Sequence, residues 1–161
     1  MRCYLLFLAL FVAACQPLVS SPLNPDVETG VPPLPTLAPN LISLGETVYV
    51  QQCASCHGVS LEGQPDWKMQ NEDRSFRAPP HDATGHTWHH GDLTLLAAVR
   101  SGGARFADMN IGGSSNMPAY AEMLTDEEIT AVLSYIKSTW PEDIRLFQWE
   151  ATLREQTQQT R

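Results

Sequence analysis

The sequence predicts an all-α domain, three core helices with a further helix added at the C-terminus, on three observations. First, Thr125 followed three positions later by Glu128 makes a capping box that starts a helix. Behind it, Ile129, Val132, Leu133 and Ile136 recur at helical spacing as one apolar stripe. Second, Asp92 is placed to cap a helix over Leu93 to Arg100, which Gly102-Gly103 ends. Third, the stretch from about Ile42 to Gln52 reads as a helix with Gly45 and Val48 on one face. The added element is the extension 141–161. Pro141 suits a first turn, Glu142 and Asp143 follow it, and Ile144, Phe147 and Ala151 can share a face. That extension reads either as a stabilising helix or as a partner-docking arm.

The chain has 161 residues, 10 basic and 18 acidic, for a formal charge of -8. Its length suits one compact domain with tails. Its charge argues against nucleic acid, whose phosphates need a basic face, and against electrostatic attachment to anionic membranes. Basic protein partners stay open. Met1-Arg2 is a short positive start, and the apolar run Cys3 to Ala13 is far shorter than the roughly 20 residues that span a bilayer. It has the length of a secretory h-region. Val12-Ala13-Ala14-Cys15 resembles the bacterial lipobox, so residues 1–14 are expected to be a lipoprotein-type signal and Cys15 the lipidated residue. An ordinary signal cut near Ala14 is the alternative. Residues 16–40 hold seven of the 12 prolines, which excludes helix and central strand. Residues 15–40 therefore read as a lipidated cysteine and a tether, or a disordered tail, with no packed structure expected in either case.

The central signal is Cys53-Ala54-Ser55-Cys56-His57. In an exported chain this spacing reads as covalent haem attachment. Two thiols one turn apart reach the two vinyl groups, and His57 then points at the iron. A thioredoxin-like redox pair usually follows a buried strand, and none is expected here. Half a zinc site needs two further ligands, and no cysteine remains to supply them. A low-spin haem also takes a second axial ligand, commonly methionine or histidine. Met117 is the favoured one, in Asn116-Met117-Pro118-Ala119-Tyr120, because Pro118 biases it towards extended backbone. Gly112-Gly113-Ser114-Ser115 is expected to give that loop freedom to close. Met109 is the competitor, Met123 is read as core or haem-edge packing, and Met69 is the remaining downstream methionine.

Residues 41–140 resemble the class I c-type cytochromes, all-α carriers with one haem. The resemblance rests on Gly45-Glu46-Thr47-Val48-Tyr49 ahead of the Cys53–His57 motif, on Met117-Pro118 at a usual separation after it, and on the helix from Leu124 to Ile136. It implies that Gly45 sits opposite Tyr135 where two helices cross. It also implies that a proline carbonyl, from Pro79 or Pro80, accepts the Nδ1 proton of His57. Pro79 and Pro80 lie far from His57 in the chain. Between them and the helix over Leu93 to Arg100, His81, His86, His89 and His90 crowd around Trp88. They could bind copper or zinc, contact haem propionates with Trp88 on the ring edge, serve as ordinary loop groups, or supply an iron ligand in place of Met117.

The function these features imply is a membrane-tethered electron carrier, without substrate chemistry, on the extracytoplasmic side of a bacterial membrane. Its partners would be redox proteins of a respiratory or photosynthetic chain. The rivals are a haem or metal module with a sensing, catalytic or copper-handling role, and a fixed cytochrome subunit of a larger respiratory complex.

Overall fold

The structure, a computed structural model, describes residues 32–106 and 112–160. The signal segment 1–14, Cys15, the tether to residue 31 and Met109 lie outside the described residues. Helix α4, Asp126–Ser138, begins at the capping box. Glu128 N donates to Thr125 Oγ1 at 3.2 Å, and Thr125 N donates back to Glu128 Oε2 at 2.8 Å. Its stripe of Ile129, Val132, Leu133 and Ile136 is buried. Helix α1, Pro39–Gln52, starts three residues earlier than Ile42, with proline at its first turn where a missing N–H costs nothing.

The two helices cross at Gly45. A Cβ there would overlap the Ala131 carbonyl and stand 2.9 Å from Tyr135 Cβ. The obstructing atoms are mostly backbone, so relief means spreading the helices. Gly45→Ala is expected to cost about 3 kcal/mol, near the top of the usual overpacking range. Thermal denaturation of the haem-loaded protein checks this. Around the crossing lies the core of Val48, Tyr49, Leu61, Val132, Ile136 and Trp140.

Helix α3, Asp92–Ser101, ends at Gly102, whose φ of 51° an L side chain would resist. Its start departs from the expected cap. Asp92 is the first helical residue, and its carboxylate is committed elsewhere: it meets Lys137 Nζ and accepts from Gln148 Nε2 at 2.7 Å. The free N–H groups are satisfied from α5, Glu142–Gln159. Glu155 accepts from Gly91 N at 3.2 Å, Leu93 N at 3.0 Å and Thr94 N at 3.3 Å, and from the Thr94 hydroxyl. Thr152 Oγ1 accepts from Asp92 N at 3.1 Å. The buried face of α5 is accordingly polar: Gln148 and Thr152 sit beside Ala151, while Phe147 is 42% exposed. An apolar Ile144–Phe147–Ala151 face is thus only partly realised, because the buried start of α3 needs acceptors.

Residues 32–38, expected to be unpacked tether, are held against α5 by hydrogen bonds although none of them is buried. Trp149 Nε1 donates to Pro32 O at 2.8 Å and Arg145 to Pro35 O at 3.1 Å. Proline-rich backbone lacks N–H groups but keeps its carbonyls, and α5 supplies donors to them. Leu34, Pro35 and Leu37 roof a cavity of about 180 Å³ over α3, α4 and α5. One short parallel pairing, β1 (Ser75–Phe76) with β2 (Ser114–Ser115), joins the segment after His57 to the one before Met117.

Candidate functional site

Helix α1 breaks at Cys53, and one further turn, α2 (Ala54–His57), carries the rest of the motif. His57 N donates to Cys53 O at 2.9 Å and Gly58 N to Ala54 O at 2.9 Å, where Gly58 at φ 82° ends the turn. Cys53 is half-buried against the core and Cys56 is exposed, and neither pairs in a disulfide among the described residues. Burial, with a smaller contribution from Cys56, pushes the Cys53 thiol up to about 11. A raised Cys53 thiol is the reverse of what an attacking redox thiol needs.

His57 is buried, and its Nδ1 lies 2.9 Å from Pro79 O. A carbonyl can only accept, so Nδ1 carries the proton and the lone pair falls on Nε2, the tautomer a metal ligand needs. Burial lowers the His57 pKa, and the bond to Pro79 partly opposes it. Pro79 reaches His57 despite the long interval because the chain between is pinched off. Gly63 N donates to His57 O at 2.7 Å, Gln64 N to Ala78 O at 2.9 Å, and Ala78 N to Gln64 Oε1 at 2.7 Å. Residues 65–77 thus loop out, and Pro79 returns directly after Gly63. Gly63, at φ 70°, has room for no side chain: a Cβ would lie 2.7 Å from Pro79 C. Pro80 is buried, and its carbonyl is approached by Thr87 Oγ1 at 3.4 Å rather than by His57.

Met117 is half-buried in a loop pinned at several points. Its carbonyl accepts from Gly103 N at 2.8 Å, and its N donates to Ser115 Oγ at 3.3 Å. Tyr120 N donates to Val99 O at 3.1 Å, and Tyr120 Oη donates to Gln52 O at 2.7 Å, next to Cys53. The glycine-rich stretch is held rather than free: Gly112 O accepts from Gln70 Nε2 at 3.1 Å and from Arg74 at 3.0 Å. Met69 and Met123 are 63% and 57% exposed. Tyr120 is the residue that sequence reasoning missed. Its one signal was its place two residues after Pro118, which says nothing of a hydroxyl reaching Gln52.

The four neighbouring histidines do not converge. His81 stacks on His57, ring centroids 4.0 Å apart, which puts it on the same side of any iron His57 holds and removes it as the opposite ligand. His86 stacks on Trp67 and His89 on Trp88. Only His86 and His90 face one another, at 5.5 Å, and both are held below the ordinary imidazole range, first by partial burial and then by neighbours that include Arg105. Among the described residues no group of three or more His, Cys, Asp or Glu side chains is placed to hold a metal ion.

These residues fit a covalent haem. The two thiols stand one turn apart, the His57 tautomer offers Nε2, and Trp88 Nε1 is buried with no hydrogen-bond partner among the described residues. A buried N–H left unpaired costs on the order of 1–3 kcal/mol, so a propionate or other acceptor beside Trp88 would satisfy it.

The profile of the cytochrome c family matches residues 42–140. The chain is 28% identical over 114 residues to the cbb3-type cytochrome c oxidase subunit FixP of Rhizobium etli, an alignment covering 70% of this chain and 36% of that protein. It is 28% identical over 95 residues to the subunit FixPc of Rhizobium leguminosarum bv. viciae, covering 59% and 29%. The alignments thus span about a third of each relative's length. No solved structure matches the chain.

Proposed function

The chain belongs to the cytochrome c family, has its all-α class I fold and carries covalent haem c, and from this we propose that it is a single-haem electron carrier tethered to a membrane through Cys15. When bound, haem supplies a one-electron iron couple. On this reading Cys53 and Cys56 hold the porphyrin by thioethers, His57 and Met117 hold the iron, and Trp88 donates to the cofactor's polar edge. The observation that carries the reading is the neutral His57 with its Nδ1 proton fixed by Pro79. A second held ligand leaves no open position for gas or peroxide, so we read the protein as a carrier rather than a catalyst. Methionine ligation raises the potential relative to two histidines, and acidic surface charge favours basic faces on its redox partners.

Ferric wild type should show the weak far-red absorption band of methionine–iron bonding, and Met117→Ala should lose it while keeping covalent haem. A band that survives the substitution would move the ligand to another methionine. For the tether, Cys15→Ser is expected to shift the protein from the membrane to the soluble fraction. Among the described residues no helix is long and apolar enough to cross a membrane.

The relatives favour a second reading. Both are named as subunits of an oxidase, so the domain could work inside a respiratory complex rather than shuttle. Mild solubilisation separates the two: a free carrier migrates alone, a subunit with a larger haem-containing assembly.

A further inference from the structure

The face of His57 is held as firmly as its edge. His81 lies against it with the two rings 21° from parallel and 4.0 Å apart. Everything around His81 is fixed. Its Nδ1 pairs with Thr87 Oγ1 at 2.8 Å, its N–H donates to Leu61 O at 2.7 Å, and its carbonyl accepts from Trp140 Nε1 at 2.7 Å. Tyr49 meets it edge-on, at 6.3 Å between centroids. A single hydrogen bond from Nδ1 to Pro79 still lets an imidazole rock about the line joining its two nitrogens. A second aromatic plane on its face removes that freedom.

We propose that His81 is a positioning residue that sets the rotational angle of the His57 ring, and through it the electronic character of the haem iron. The angle of an axial imidazole decides which iron orbitals it overlaps, so a ring clamped on edge and face presents one angle instead of a spread. The hydroxyl of Thr87 belongs to the same device, since it fixes the plane of His81. Nothing in the inference requires His81 to change protonation or to touch the iron. It does rest on His57 holding the iron.

The test uses the haem-loaded full chain as wild type, His81→Ala, His81→Phe and Thr87→Val. Two properties are read: the paramagnetic NMR shifts of the haem methyls in the ferric state, which report the ring angle, and the equilibrium with a reference redox couple. His81→Ala should redistribute the methyl shifts and shift that equilibrium away from its wild-type position. His81→Phe keeps a flat face and should return both towards wild type. Thr87→Val should produce a smaller redistribution in the same sense, and serves if His81→Ala does not mature. Methyl shifts unchanged in His81→Ala, or in Thr87→Val where it stands in, would overturn the role of His81. A wild type without a low-spin haem spectrum would instead overturn the ligation by His57.

Discussion

Glu155→Ala is expected to destabilise the protein by about 2–3 kcal/mol although Glu155 stands near the end of the last helix. Its carboxylate accepts from three consecutive-turn donors, Gly91 N, Leu93 N and Thr94 N. Bonds to a charged acceptor typically contribute about 1.5–3 kcal/mol, and losing a helix cap costs up to about 2. Removing one side chain here strips most of the cap of α3 at once. At roughly 2–4 °C per kcal/mol for a chain this size, thermal unfolding should fall by about 5–10 °C. Glu155→Gln keeps an acceptor but loses the charge that complements the helix dipole, and should cost about 1 kcal/mol. If the two variants melt together with wild type, the capping contacts contribute nothing and α5 is a bystander. Truncation after Trp140 should be worse than either, since it also removes Gln148 from Asp92 and the donors to Pro32 and Pro35.

The larger effect is expected from Cys53→Ala combined with Cys56→Ala. The largest fully buried side chains among the described residues are Tyr49, Ile129, Val132, Thr152 and Ser75, and the last two are small and polar. A covalently held porphyrin would add a large apolar surface to this core. Domains are stable by only about 5–15 kcal/mol, so a core lacking its cofactor has little in reserve. The double variant should lose haem on denaturing gels and most of its helical circular dichroism, as metal-dependent domains do without metal. Native-like helicity in the absence of haem would show that the α1–α4 crossing is self-sufficient.

What the sequence revealed was local. The turn at Cys53–His57 and the capping box at Thr125 and Glu128 are complete within five residues, so spacing alone exposes them. The carbonyl of Pro79 was visible only as one of two prolines at an awkward distance, because nothing in the letters shows Gln64 pairing with Ala78. The cap of α3 was misplaced for the opposite reason. Asp92 is a good capping residue by type, and only the fold shows Lys137 and Gln148 claiming it while Glu155 arrives from α5. The burial of Gln148 and Thr152 follows from that exchange, so a pattern search for apolar faces could not find it. Tyr120 and the stacking of His81 on His57 depend on contacts between distant segments and were likewise invisible.

The pairing of Ser75–Phe76 with Ser114–Ser115 is only two residues long. Yet it ties the loop that leaves the His57 side to the loop that carries Met117, and Gln70 and Arg74 strengthen the tie at Gly112. The segment after His57 and the segment before Met117 are therefore strutted to each other. Whatever must rearrange when an electron arrives adds to the barrier, and dipoles already fixed in place add least. On the proposed ligation by His57 and Met117, loosening the pairing should therefore slow self-exchange even where ligation and stability are preserved.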